Sequence, residues 1–132
     1  RSTFLGKVSN EKHFLTYNKI DIALDTFPYN GTTTTCESLW MSTPVISFKG
    51  DCHRSRVSHS ILNNLGLPEL SAKSKKDYIG LIKELSKDKQ RIINYKKTIR
   101  DKMIQSPLMD GKNFTKKIEK IFTNLLSSSP LQ

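Results

Sequence analysis

Residues 20–50 read IDIALDTFPYNGTTTTCESLWMSTPVISFKG, and the clearest signals of secondary structure lie in this stretch. It contains two short, mostly apolar runs, at 20–26 and 44–48, which Pro, Asn and Gly residues separate from their surroundings. Such runs are typical of strands buried on both faces of a parallel sheet. The residues between them, from the threonines to about Met41, include the apolar Leu39-Trp40 pair and predict a helix. The stretch therefore predicts a strand–helix–strand unit.

The rest of the chain extends this alternation. Phe4 and Leu5, followed by Gly6, predict a first strand, and the sequence LPEL at 67–70 predicts a short strand or extended piece. Helical spacing and helix-ending residues predict helices at about 10–19, 53–64, 75–86 and 88–105, and from Gly111 onwards. We therefore predict an α/β fold in which helices flank a Rossmann-like parallel sheet.

The length and order of these elements predict one domain over residues 1–126, ending in a helix, and a flexible tail over 127–132. Since the first predicted strand has no element before it, we interpret the chain as a piece of a larger protein. It has no apolar run of membrane-spanning length and no signal-peptide pattern. Cys36 and Cys52 are interpreted as reduced thiols with too few neighbouring ligands for zinc. Together these features predict a cytoplasmic protein without a metal site.

The net charge of +10 raises the alternative of a nucleic-acid-binding protein. Much of the positive charge lies in residues 73–102, where only Tyr78 and Tyr95 are interleaved with the lysines and arginines. Single-stranded nucleic-acid sites usually combine basic residues with several aromatic side chains. We favour a solvated face of lysine-rich helices and keep nucleic-acid binding as the alternative.

The threonine run predicts a nucleotide site. In open parallel sheets, ligands bind beyond the carboxyl ends of the strands, where helix N-termini offer unpaired N–H groups. Asn30-Gly31 forms a turn after the run at 20–26, so residues 32–35 would add hydroxyl donors to such a terminus. Glu37, one turn further on, can accept two hydrogen bonds from the vicinal diol of a ribose. A purely structural interpretation stays open, with Thr or Asn as the helix cap and Glu37 complementing the helix dipole.

Two neighbouring features bear on this site. His53, Arg54 and Arg56 lie at another strand-to-helix turn, where they could contact phosphate or remain solvated. Asp25, at the end of the run at 20–26, is predicted to brace the loop by accepting hydrogen bonds from backbone N–H groups.

The sequence DIALDTFPYNGTTTTCESLWMSTPVISFKGD at 21–51, with SRV at 55–57 and SPL at 106–108, resembles the O-linked N-acetylglucosamine transferase family. The resemblance is to the C-terminal half of the catalytic region, in the bacterial branch that carries tetratricopeptide repeats upstream. It implies the donor-binding half of a GT-B glycosyltransferase. It also implies inverting transfer of a sugar, N-acetylglucosamine, from a UDP donor to a protein or glycan acceptor, without a cofactor or metal.

The family's phosphate-contacting lysine and its proposed acid/base residues correspond to positions upstream of Arg1. The resemblance therefore implies that the chain alone is inactive. Its predicted partners are a UDP-sugar, the N-terminal half of the catalytic region, upstream tetratricopeptide repeats and the acceptor. A noncatalytic binding or interaction module of the same fold is the alternative.

Individual residues match the family's donor-binding motif. The resemblance implies that Thr33 and Thr34 meet the diphosphate, Glu37 holds the ribose and His13 lies against the uracil. The predicted donor site comprises His13, Asn30, Gly31, Thr32, Thr33, Thr34 and Glu37. Three positions depart from the animal enzymes, which have histidine at 32, arginine at 16 and aspartate at 37. The departures at 32 and 16 leave the choice of sugar and nucleotide open, whereas Glu37 is chemically equivalent to aspartate as a diol acceptor.

Overall fold

The computed structural model describes residues 2–128 and shows three strands and six α-helices in them. The strands are β1 (Ala23–Leu24), β2 (Val45–Phe48) and β3 (Ser71–Ala72). The α-helices are α1 (Asn10–Tyr17), α2 (Thr33–Trp40), α3 (Val57–Asn64), α4 (Lys75–Lys87), α5 (Lys89–Gln105) and α6 (Gly111–Ser128). Short 3₁₀ turns cover His53–Ser55, Pro68–Leu70 and Pro107–Met109.

The three strands form one parallel sheet in the order β1-β2-β3. Ala23 pairs with Val45, and Ser47 pairs with Ser71. The central strand β2 is almost wholly buried, as its continuous apolar sequence predicts. The prediction of burial on both faces is wrong for β1. This strand lies at the edge of the described sheet, and its Leu24 is 53% exposed.

Helices on the sheet close a single hydrophobic core. Its fully buried side chains come from the central strand, from four helices and from the 3₁₀ turn at Pro68–Leu70: Leu39, Ile46, Leu62, Leu70, Leu85 and Ile99. Burying a side chain of this size contributes about 1.5–3 kcal/mol. At the surface of the core, the guanidinium of Arg100 on α5 lies 4.6 Å from the ring centroid of Trp40 on α2. This contact adds a cation–π attraction to the packing of α5 on α2.

Three predicted elements differ from the structure. The predicted strand at Phe4-Leu5 is wrong: residues 2–9 have no regular secondary structure, and Phe4 is 95% exposed because it packs against no sheet. The predicted extended piece at 67–70 is instead a 3₁₀ turn, since Pro68 has no N–H for a strand ladder, and pairing begins only at Ser71. The predicted helix 53–64 is split at Arg56 into a 3₁₀ turn and α3.

The C-terminal helix α6 continues through Ser128, two residues past the predicted boundary at 126. Residues 129–132 of the predicted tail lie outside the described residues, so the tail stays a prediction. Along residues 2–128, none of the helices is both long enough and apolar enough to cross a bilayer.

Candidate functional site

The candidate site lies where β1 turns into α2. Asp25, directly after β1, accepts a hydrogen bond from the Gly31 N–H through Oδ1 at 2.8 Å. Its other oxygen, Oδ2, accepts from the Ser47 hydroxyl of β2 at 2.7 Å. These two bonds confirm that Asp25 braces the loop, and they hold the loop against the end of the neighbouring strand.

Asn30 and Gly31 shape the turn from inside it. Asn30 is 2% exposed; its N–H donates to Arg54 O at 2.8 Å and its Nδ2 donates to Thr26 O at 3.1 Å. Asn30 therefore supports the loop from within rather than from the solvent side. A Cβ on Gly31 would lie 2.5 Å from Thr34 Oγ1 and 2.7 Å from Thr35 Oγ1. The turn consequently leaves room only for glycine unless these side chains move.

The four threonines divide into two groups. Thr32, Thr33 and Thr34 are exposed, whereas Thr35 is 3% exposed and its hydroxyl donates to Gly31 O at 3.0 Å. Thr32 is the N-cap residue, and its side chain makes no capping hydrogen bond to any of residues 2–128. The simple interpretation of the run as a helix cap thus fails for Thr32. Three exposed hydroxyls remain at the N-terminus of α2.

Glu37 lies on the same exposed side of α2, one turn after Thr33 and Thr34. The Nε2 atom of His13 on α1 is 3.2 Å from Glu37 Oε2. The rings of His13 and Tyr17 meet edge to face, with centroids 5.3 Å apart. Burial, and secondarily the Glu37 carboxylate, raises the pKa of the Tyr17 phenol and of the Cys36 thiol. Both groups therefore stay neutral beside the carboxylate.

A basic cluster lies on the other side of the turn. Since the Asn30 N–H donates to Arg54 O, the segment that carries His53, Arg54 and Arg56 is tied directly to the loop. A cleft of about 470 Å³ is lined by Thr32, Cys36, His53, Arg56, Val57, Ser60, Ile61 and Leu108. A smaller cavity, of about 150 Å³, has Tyr17, Asp25 and Thr34 among its lining residues. The N-terminus of α2 thus lies between two depressions of the surface.

The structure brings together most of the predicted site residues. Thr33 and Thr34 lie one turn before Glu37 on α2, and His13 of α1 contacts Glu37. Thr32 lines the same cleft as His53 and Arg56 of the basic cluster. Asn30 and Gly31 form the turn that precedes the helix. Sequence reasoning missed Ser58, which reaches the same turn from α3: its hydroxyl donates to Gly31 O at 2.9 Å. It also did not separate Thr35 from the other threonines. The spacing of Thr35 from Leu39 could have marked Thr35 as a buried position.

This arrangement can bind an anion next to a diol. Helix N–H groups and threonine hydroxyls donate hydrogen bonds, and the helix dipole adds positive potential at the same end. The carboxylate one turn away accepts hydrogen bonds only. In the part of the chain that the structure describes, no three His, Cys, Asp or Glu side chains cluster as metal ligands would. The donors and acceptors named above act through hydrogen bonding and electrostatics.

Comparison with known proteins identifies relatives that match most of the chain. The family model described as Glycosyl transferase family 41 matches residues 2–118. A probable UDP-N-acetylglucosamine–peptide N-acetylglucosaminyltransferase SPINDLY from Hordeum vulgare is 40% identical over 116 residues, which are 88% of this chain and 12% of that protein. A UDP-N-acetylglucosamine–peptide N-acetylglucosaminyltransferase from Caenorhabditis elegans is 31% identical over 119 residues, 90% of this chain and 10% of its own length.

A solved structure agrees with these relatives. A mutant O-GlcNAc transferase from Thermobaculum terrenum superposes with a TM-score of 0.82 at 32% identity, over 89% of this chain and 23% of that chain. The match confirms the predicted α/β fold as that of one half of a GT-B glycosyltransferase. The chain spans about 12% of the length of the plant relatives. From the family match over most of its residues and the likeness in both sequence and structure, the chain belongs to glycosyl transferase family 41.

Proposed function

We propose that the chain is the donor-binding half of an inverting glycosyltransferase that transfers N-acetylglucosamine from a UDP donor to a protein or glycan acceptor. The observation that carries the proposal is the exposed side of α2, where Thr33 and Thr34 precede Glu37 by one turn and His13 contacts that carboxylate at 3.2 Å. The relatives named for UDP-N-acetylglucosamine–peptide transfer support the choice of donor.

In the proposed mechanism, the start of α2 stabilises the leaving diphosphate. Negative charge grows on the diphosphate as its bond to the anomeric carbon breaks. The N–H groups and hydroxyls at the N-terminus of α2 are already oriented, so they lower the energy of that charge without reorganising. Glu37 holds the ribose hydroxyls, and His13 lies against the base. In this proposal the N–H groups and hydroxyls at the start of α2 supply the positive potential around the diphosphate, and no metal is required.

The proposal includes a second half of the enzyme as partner. Exposed apolar side chains on one side of α6 support it: Phe114, Ile121, Phe122 and Leu125 are each more than half exposed. Apolar surface of this extent usually marks a contact with another structural unit. We propose that the N-terminal half of the catalytic region covers part of this surface and supplies the acid/base residues, with tetratricopeptide repeats further upstream. The unpaired Cys36 and Cys52 fit the reducing conditions of a cytoplasmic location.

The interpretation as a nucleic-acid binder loses support from the two tyrosines of residues 73–102. The Tyr95 hydroxyl donates to Glu69 Oε1 at 2.9 Å, and the Tyr78 hydroxyl donates to Asp25 O at 3.2 Å. Both rings are directed into the protein, so neither offers a stacking surface among the exposed lysines.

A titration followed by nuclear magnetic resonance tests the proposal. The labelled chain is titrated with UDP, with GDP and with a short oligonucleotide at two salt concentrations. We expect selective shifts by UDP at His13, Thr32–Thr34 and Glu37, and little response to the oligonucleotide. A response of residues 73–102 to the oligonucleotide that falls steeply with salt would instead favour nucleic-acid binding.

A double variant, Thr33→Val with Thr34→Val, tests the two hydroxyls directly. We expect the Kd for UDP to rise about tenfold, since each lost hydrogen bond costs about 0.5–1.5 kcal/mol. Thr115→Val removes an exposed threonine hydroxyl from α6 and serves as the matched control. Equal UDP affinity of the double variant and the control would contradict the proposed site.

A further inference from the structure

Two buried hydroxyls hold the peptide that precedes the exposed threonines. Thr35 Oγ1 lies 3.0 Å from Gly31 O, Ser58 Oγ lies 2.9 Å from the same oxygen, and the two hydroxyl oxygens are 3.0 Å apart. Two hydroxyl protons serve these three contacts, so either both donate to the carbonyl or one donates to the other, which donates to the carbonyl. In each arrangement Gly31 O accepts a hydrogen bond from at least one of the two buried hydroxyls.

This contact determines where the Thr32 N–H points. In a trans peptide the C=O and the following N–H point in opposite directions. The Gly31–Thr32 peptide is trans, since Phe27-Pro28 is the only cis bond in the described part of the chain. Because the carbonyl is directed at Thr35 and Ser58, which are 3% and 0% exposed, the Thr32 N–H is directed away from the interior. The peptide before Gly31 is held as well, by the bond from its N–H to Asp25 Oδ1.

We infer that Thr35 and Ser58 are positioning residues that aim the Thr32 N–H, and the start of α2, at the donor's diphosphate. The inference rests on the proposed function. Neither side chain touches the ligand, because both are buried; they act through the Gly31 carbonyl. A backbone N–H that is already oriented binds phosphate without a further ordering cost. Since Thr35 belongs to α2 and Ser58 to α3, the pair also holds the phosphate-binding turn to a second helix.

The variants Thr35→Val, Ser58→Ala and their combination test this role. Thr35→Ser keeps the hydroxyl and is the conservative rescue variant. Thr43→Val removes the hydroxyl of another buried threonine, 1% exposed, which lies after α2 and donates to Tyr17 O at 3.4 Å instead of to Gly31 O. Three quantities are measured on each chain: ¹⁵N relaxation of residues 31–34 without ligand, the Kd for UDP and the Kd for uridine. Uridine lacks phosphate, so it reports on the base and ribose contacts alone.

We expect the Thr35→Val/Ser58→Ala chain to show greater mobility at residues 31–34 and a Kd for UDP about tenfold higher, with the Kd for uridine unchanged. Thr35→Ser and Thr43→Val should resemble the parent chain in all three quantities. If the combined variant does not fold, the two single variants are judged by the same criteria. A merely structural role would lower stability and raise both dissociation constants together, which would overturn the inference.

The outcomes separate this inference from the proposed function. If the parent chain does not bind UDP, the proposed function fails for the chain by itself, and the relaxation data alone judge the positioning role. Unchanged order of residues 31–34 in the combined variant would then overturn it, and increased mobility there would support it. If the parent chain binds UDP, an unchanged ratio of the UDP and uridine constants overturns the inference.

Discussion

The Nε2 atom of His13 lies 3.2 Å from Oε2 of Glu37, although 24 residues separate the two in the chain. His13 belongs to α1, which precedes β1, and Glu37 belongs to α2, which follows it. The pair thus joins the residue proposed to lie against the base to the residue proposed to hold the ribose. Since each carboxylate oxygen has two lone pairs, the contact with the imidazole leaves acceptor capacity for the two ribose hydroxyls of the proposed donor.

A double-mutant cycle on His13→Ala and Glu37→Gln should show coupling in UDP affinity. His13→Ala removes the hydrogen bond between the two side chains, and Glu37→Gln removes the negative charge of its acceptor; each also alters a proposed ligand contact. We expect each single variant to bind UDP about tenfold more weakly and the pair to deviate from additivity by about 0.5–3 kcal/mol. Titration calorimetry measures the four affinities.

The matched control for this cycle combines His13→Ala with Glu84→Gln. Glu84 is an exposed carboxylate whose ion-pair partner is Arg91, on α5. Its effect should add to that of His13→Ala within about 0.5 kcal/mol. If the His13 and Glu37 substitutions are just as additive, the two residues do not act together on the donor.

Gly31→Ala and Gly80→Ala should change stability in opposite directions. A Cβ at position 31 would lie 2.5 Å from Thr34 Oγ1 and 2.7 Å from Thr35 Oγ1, so these side chains or the turn must shift, at a cost of about 1–3 kcal/mol. Gly80 lies in the interior of α4 with open space around its Cβ position, where alanine stabilises by about 0.5–1 kcal/mol. Urea unfolding measures both changes. A Gly31→Ala chain as stable as the parent would show that the turn adapts freely.

His59 should make stability depend on pH. Burial, and then the positive charges of Lys49, Lys73 and Arg56, lowers its pKa in the folded chain below the ordinary value of 6.5. The unfolded chain therefore binds a proton at a higher pH than the folded chain does. The stabilising contribution is complete above about pH 6.5 and is lost as the pH falls from there through the folded-state pKa.

The measurement that checks this compares urea unfolding of the parent chain and of His59→Gln from pH 5 to pH 8. Stability of the parent should fall more steeply below about pH 6.5 than stability of the variant. The two chains differ only at position 59, so the difference between their profiles reports on His59. Parallel pH profiles would contradict the predicted role of His59.

The two cysteines should react with iodoacetamide at different rates. The hydrogen bond from the Ser55 hydroxyl, with a smaller effect of Arg54, lowers the pKa of the exposed Cys52 thiol. Burial, followed by the nearby Glu37, raises the pKa of Cys36. Because the thiolate is the reactive form, Cys52 should be alkylated first near neutral pH. Mass spectrometry of timed samples gives both rates, and faster labelling of Cys36 would contradict the assignment.

Local sequence was sufficient for the elements that carry their own start and stop signals. The apolar run at 44–48 predicted the buried strand β2. The spacing of apolar residues predicted α4 and α5 to within one or two residues. Phe4 and Leu5 have strand-forming composition, but a strand also needs a neighbour with which to pair. Neither residue has one in residues 2–128, and both are exposed. Composition alone cannot report that partner.

Sequence alone was enough for the α/β class, for the Asn30-Gly31 turn after β1 and for the threonine run at the start of α2, because each depends on neighbours within a few positions. The folded core, in contrast, set the partner of the buried Thr35: Ser58 approaches it from α3, with the two hydroxyl oxygens 3.0 Å apart. The contact between His13 and Glu37 likewise arises only in the folded chain, because the two residues lie on helices that precede and follow β1. Such contacts between distant residues depend on the folding of the whole core, which no local pattern encodes.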